Sequence, residues 1–110
     1  MTEPAGSPFL YLTTRGHKTG NPHEIEIWFV ERDELYYVVA EHRERAHWVQ
    51  NVQHEPAVRF RVGDRTLIGR GRVVRPDAEP ELAADVARLM DAKYGWSDGL
   101  IVELTPDGNR

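Results

Sequence analysis

Between Ala57 and Val62 the chain alternates strictly: Val58, Phe60 and Val62 are separated by Arg59 and Arg61. Successive side chains of a strand point to opposite faces, so this run reads as a strand with one dry face and one wet face. The same logic recurs elsewhere. In His23–Glu31, Ile25, Ile27 and Phe29 point one way, while Glu24, Glu26, Trp28 and Val30 point the other. Phe9–Thr14 and Leu100–Thr105 are compact, apolar and β-prone. Leu35–Ala40 is apolar throughout, as a strand covered on both faces would be, and forms a hairpin with His23–Glu31 across a charged turn at Glu31–Glu34. Thr66–Arg75 is the longest run. Its Gly69 and Gly71 share a face, which suggests a bend, a bulge or a close contact at a barrel corner. Six strands in 110 residues leave room for one domain.

Two segments carry helical spacing instead. Glu44–Gln53 places Trp48, Val49 and Val52 on one side and is stopped by Glu55-Pro56. A second helix begins at Asp77-Ala78-Glu79-Pro80, with proline in the first turn where its missing N–H costs little. Leu82, Val86, Leu89, Met90 and Lys93 share its stripe, and Gly95 ends it. The expected fold is therefore mainly β (α+β), a closed or nearly closed barrel of six strands with two helices. Residues 9–110 form the barrel domain, and residues 1–8, rich in Pro, Gly and Ser, form a flexible arm.

The chain has no cysteine, which excludes disulfides, thiolate catalysis and Cys-ligated metals, and makes a reducing cytoplasm the expected location. No apolar stretch is long enough to span a bilayer, and no signal peptide is visible, so no membrane partner is expected. Net charge is -4. That mean conceals a basic window from Ala57 to Arg75, where six arginines face one aspartate, Asp64. Two readings of this window stand: outward arginines on exposed strands, or a pocket for an anionic ligand. The negative total and the lack of basic-aromatic interleaving argue against nucleic acid as a partner. Trp28 and Val30, on the otherwise polar face of their strand, suggest a surface buried by a second copy, hence a homodimer.

Five histidines are present: His17, His23, His42, His47 and His54. None falls in a metal-binding pattern, so no metal site is expected, although His42 and His47 lie close enough in sequence to meet. No nucleophile elbow occurs. The turn Gly16-His17-Lys18-Thr19-Gly20 is not a Walker loop. It does offer backbone N–H groups beside Lys18 and Arg15, and such a nest can hold an anion.

The segment Leu12-Thr13-Thr14-Arg15-Gly16-His17-Lys18-Thr19-Gly20-Asn21-Pro22 resembles the T-T-x-G-R-K-[ST]-G-x-P signature of the deazaflavin-dependent nitroreductases. These belong to the flavin-binding, pyridoxamine-phosphate-oxidase-like split β-barrels. The resemblance continues through Glu26–Val30 and Leu35–Ala40, then through Trp48-Val49-Gln50-Asn51 and Glu55-Pro56-Ala57-Val58, similar to the family's W-x-x-N-L-x-x-N/D-P-x-V pattern. Gly69–Val74 and Ala92-Lys93-Tyr94 extend it. It implies a six-stranded split barrel, a homodimer, and the 8-hydroxy-5-deazaflavin coenzyme (F-420) in a groove. Carried over by position, it implies cofactor contacts from Lys18, Thr19 and Gly20 in the basic turn and from Trp48 on the helix beside the cofactor. His17 stands where the family has arginine, and Arg15 is placed to compensate. Relatives have a glycine-rich stretch after the third strand; here Glu41-His42-Arg43-Glu44-Arg45 puts side chains in that place.

The implied activity is hydride transfer to a small electrophile: a nitro compound, a quinone or an activated alkene. The cofactor carries that chemistry, and no side-chain acid or base is identified as catalytic. Arg59 or Arg61 would assist with the anionic tail, and Trp28 and Trp48 would wall the ring. The alternatives are an oxidoreductase using FMN on the same barrel, or a non-catalytic carrier of flavin or haem.

Overall fold

The computed structural model describes residues 8–107. Of the expected arm, residues 1–8, the first seven lie outside that range. Seven strands form one antiparallel sheet: β1 (Leu10–Arg15), β2 (Pro22–Ile27), β3 (Phe29–Arg32), β4 (Leu35–Ala40), β5 (Ala57–Val62), β6 (Arg65–Val74) and β7 (Leu100–Pro106). Two helices accompany them, α1 (His47–His54) and α2 (Pro80–Tyr94). The strand order is β2-β1-β5-β6-β7-β4-β3. The sheet curls so that its two edge strands, β2 and β3, are also neighbours in sequence. This is a split barrel, mainly β with two helices.

The count is seven strands, not six, because the run His23–Glu31 is two strands. Ile27 pairs with Leu10 of β1, whereas Phe29 pairs with Val38 of β4. Trp28 is the single residue between them. The chain changes partner there without changing phase: Ile25, Ile27 and Phe29 all turn toward the barrel interior. The backbone of Phe29 is held from outside the sheet. Its N–H donates to the Tyr94 hydroxyl at 3.0 Å, and its carbonyl accepts from Lys93 Nζ at 3.1 Å. The end of α2 thus supplies partners that a continuous ladder would have supplied.

The barrel interior is filled by Leu10, Leu12, Phe29, Val38, Phe60, Val102 and Leu104, all fully buried, with Ile25 and Ile27 of β2 and Leu67 and Val73 of β6 partly buried against them. Helix α1 closes this interior with Val49 and Val52. It is shorter than expected, beginning at His47; Arg43–Arg45 form a separate 3-10 turn. A second cluster lies on the opposite face of β4 and β7, where Val30, Tyr37, Val39 and Ile101 meet Ala83, Val86 and Met90 of α2. Leu35–Ala40 is therefore covered on both faces, as its composition required. Val30 is buried by α2 of its own chain, which removes it from the argument for a partner surface. Trp28 keeps 42% of its surface.

Helix α2 is anchored at its start by a network of charges. Arg72 donates to Glu103 at 2.8 Å and to both carboxylate oxygens of Glu79 at 2.6 and 3.0 Å. Glu103 is itself buried and accepts from the Tyr37 hydroxyl at 2.8 Å. Gly95, with φ of 73°, ends the helix. At Gly69 a Cβ would lie 2.1 Å from the backbone oxygen of Thr105, so β6 and β7 approach there as only glycine permits.

Candidate functional site

Two cavities share Ile25, His42, Ala46 and Trp48, and so form the compartments of one groove. The first, about 690 Å³, is built on the β1–β2 turn and the chain entering α1; His17, Lys18, Thr19, Arg45, Gln50 and Asn51 are among its lining residues. The second, about 650 Å³, is lined by Ile25, Ile27, Val39, Ala40 and all three tryptophans of the chain, Trp28, Trp48 and Trp96. The first is the turn-side compartment, with Lys18 and Arg45 against Glu24; the second is the aromatic compartment, whose lining also holds Glu26 and Glu41.

The turn has a rigid internal frame. Gly16 N–H donates to Asn21 O at 2.7 Å, and Gly20 N–H donates to Gly16 O at 2.8 Å. Arg15 donates to Gly20 O at 2.7 Å. These amides are used within the turn, so the backbone nest expected from the glycines is largely spent, and Lys18, exposed at the tip, is left as the turn's charged group facing the groove. The turn is tied to α1 by Asn51. The Oδ1 of this buried amide accepts from the His17 backbone N–H at 2.9 Å and meets His17 Nδ1 at 2.7 Å. A backbone N–H only donates, so the facing atom is oxygen and Nδ1 carries the hydrogen. Asn51 Nδ2 completes the clamp by donating to the buried Thr14 hydroxyl at 3.0 Å. The sequence drew attention to Asn51 only as part of a motif. Its partners lie 34 and 37 residues upstream, and no local pattern announces them.

The aromatic compartment is also buttressed. Trp28 stacks on Tyr94 with ring centroids 4.4 Å apart and planes 3° apart, and meets Trp96 edge-on at 6.1 Å. Burial pushes the Tyr94 phenol up, so it stays protonated and keeps bridging Phe29. Burial pulls Lys93 downward; its ammonium sits 3.9 Å from the centroid of the Phe29 ring. The contributions of Tyr94 and Trp96 were not evident from the sequence, because both act across the fold.

Of the residues the sequence put forward, the groove brings together His17, Lys18, Thr19 and Trp48, joined by Trp28. Arg15 and Gly20 stand behind the turn, and Arg15 lines a separate cavity on the outer face with Arg59. Arg59 and Arg61 do not face the groove. Both are exposed on the outer side of β5, where Arg61 lies 4.3 Å from the centroid of the Tyr11 ring. Arg70 and Arg72 are exposed too, so the basic window is a set of outward arginines. His42 and His47 both line the turn-side compartment. The segment Glu41–Arg45 frames the groove without filling it: Glu41, His42 and Arg45 line it, while Arg43 and Glu44 turn away to Asp98 at 2.9 Å and Arg75 at 2.6 Å. Among the described residues no cluster could hold a metal ion, and no helix is long and apolar enough to cross a membrane.

Residues 2–98 match the family described as F420H(2)-dependent quinone reductase. The chain belongs to this family. Its coenzyme is the reduced deazaflavin F-420, and the groove fits such a group: a flat ring system has aromatic walls, and an anionic tail has a cationic compartment beside them. No curated protein matches the chain. Among solved structures, an F420-H2 dependent reductase (FDR-A) superposes with a TM-score of 0.62 at 21% identity, covering 89% of this chain and 94% of its own. The heme storage protein HutZ of Vibrio cholerae gives 0.75 at 21%, covering 93% and 83%. A putative pyridoxamine 5'-phosphate oxidase of Listeria innocua gives 0.71 at 12%, covering 97% and 90%. At these identities the likeness establishes the fold this family member shares with them.

Proposed function

We propose that this family member is a reductase that uses deazaflavin F-420 to reduce a small electrophile, a quinone, nitro compound or activated alkene. The observation that carries this reading is the pairing of a cationic and an aromatic compartment in one groove. When bound, the coenzyme supplies the hydride. Lys18 would hold its anionic tail from the turn, with His17 and Thr19 beside it. Trp48, at the waist shared by both compartments, and Trp28 would wall the ring system and shield it from water. Asn51 is a positioning residue: it fixes the turn, and thereby Lys18, against α1. Arg15 and Gly20 contribute by framing the turn. A cytoplasmic location accords with the cysteine-free sequence, and a homodimer with the exposed Trp28 and with Ile68, which keeps 64% of its surface.

Calorimetric titration with F-420 and, in parallel, FMN tests the reading. F-420 is expected to bind, and Lys18→Ala to weaken it about tenfold or more, since a charge-assisted contact contributes about 1.5–3 kcal/mol. Binding of FMN alone would establish the FMN oxidoreductase instead. Absence of binding to either would sink the reductase reading and leave a carrier of another group.

A further inference from the structure

The outer face of β1, β5 and β6 carries a cavity of its own, about 400 Å³ in volume. Its shape follows from the register. Thr13, Arg59 and Ile68 stand side by side in one cross-strand row. Two residues before Arg59 on β5 is Ala57, opposite Arg70 of β6, and two residues beyond Thr13 on β1 is Arg15. Residues two apart on a strand share a face, so Arg15, Arg59 and Arg70 surround a position where the sheet offers only a methyl group. Arg15 and Arg59 line the resulting depression, Arg70 borders it, and Pro22 and the exposed Ile68 supply apolar walls.

These arginines differ from the others. Arg32, Arg43, Arg72, Arg75 and Arg88 are each paired with a carboxylate, and Arg61 lies over the Tyr11 ring. Among the described residues, Arg15, Arg59 and Arg70 are in no ion pair. Arg15 gives one N–H to the Gly20 carbonyl, at 2.7 Å, and keeps the rest of its fork. The one carboxylate in the lining is Glu55, whose Oε2 accepts from the Ala57 N–H at 3.4 Å. The lining thus sets two cations against one carboxylate, with an exposed isoleucine beside them. We propose that this cavity is a second ligand site, separate from the groove, for a small carboxylate with an apolar body, and that its occupant acts on the β1–β2 turn through Arg15. The carboxylate takes the guanidinium forks, and the body lies on Ile68 and Ala57. A guanidinium held from outside keeps its bond to the Gly20 carbonyl, so the occupant stiffens from behind the turn whose front faces the groove. The site stands whatever the groove binds. A second copy centred on this face would set the three arginines against themselves, so a small anion is the better occupant.

Calorimetry on the intact chain at low ionic strength tests the site, with benzoate as the probe, benzamide as its neutral isostere and inorganic phosphate as an anion without a body. Benzoate is expected to bind about tenfold or more tightly than either. Arg59→Gln is expected to weaken benzoate about tenfold, and so is Ala57→Leu, which fills the depression without altering charge. Arg61→Gln, on the same face but over Tyr11, is expected to leave the affinity unchanged. All three positions are exposed, so the fold is spared. By NMR, saturating benzoate is expected to slow amide exchange at Gly16 and Gly20 in the turn. Absence of benzoate binding would overturn the proposal, and so would binding that Arg59→Gln and Ala57→Leu leave unchanged. Phosphate binding as tightly as benzoate would overturn the ligand class, and exchange in the turn that is unchanged or faster would overturn the action through Arg15. A dimer that dissociates on Ile68→Ser, with benzoate bound only then, would assign this face to a second copy instead.

Discussion

The two halves of the sheet are built on different terms. β4 and β7 are covered on both faces, by the barrel interior and by α2, and their burial is nearly continuous. β1 and β5 are covered on one face, and β5 alternates buried and exposed at every position. The doubly covered half holds the larger share of fixed interactions, including the buried Glu103 network and the stripe of α2. The singly covered half carries the glycine turn and, through Asn51, the turn-side compartment of the groove, while the aromatic compartment leans on Val39 and Ala40 of β4 and on Trp96 beyond α2. The buried charge network and the turn-side compartment thus sit apart on one continuous sheet, which passes from β2 to β3 through the single residue Trp28.

If that division holds, damage in the middle of α2 lowers stability and spares the turn-side compartment. Met90→Ala, at a fully buried position, is expected to cost about 2–5 kcal/mol in urea unfolding, with little change in affinity for whatever fraction remains folded. A comparable loss of ligand affinity in the folded fraction would show that the halves are coupled.

A subtler break is alkaline. Burial, reinforced by the Glu103 carboxylate, pushes the Tyr37 phenol up to about 12. The folded state therefore holds this proton more tightly than the unfolded chain, whose phenol titrates near 10. The resulting stability is complete below about pH 10 and is lost as pH rises through about 12, a contribution on the order of 2–3 kcal/mol. Urea midpoints measured from pH 9 upward are expected to fall over this window, and Tyr37→Phe to remove most of the fall. Tyr36 and Tyr94, also pushed upward by burial, account for a residual slope in the same direction. A variant that keeps the full slope would place the alkaline sensitivity elsewhere.

The smallest stability effect belongs to the groove side. Asn51→Ala leaves the Thr14 hydroxyl and the His17 N–H without their partner, at about 1–3 kcal/mol. Here the ligand is the sensitive readout: the turn loses its tie to α1, and the affinity for F-420 is expected to drop more than the stability does. Equal losses would blur the distinction between the halves.

What the sequence disclosed follows the same boundary. Local alternation in β5, and the apolar run of β4, state their burial outright, because a strand's face is set by period and not by partner. The capping proline and glycine of α2 likewise mark the ends of that helix. The break at Trp28 was invisible because Ile25, Ile27 and Phe29 stay in phase across it; only the identity of the pairing strand changes, and that is a long-range fact. For the same reason the turn was recognisable as a candidate site, whereas its clamp at Asn51 and the wall supplied by Trp96 were not. The basic window was legible as charge, but its direction depended on register.

The clustering of all three tryptophans in one compartment has an optical consequence. Excited selectively at the red edge of protein absorption, this chain emits only from the walls of its groove. Its intrinsic emission is therefore a built-in reporter of what enters there, with no label attached and no background from the rest of the fold.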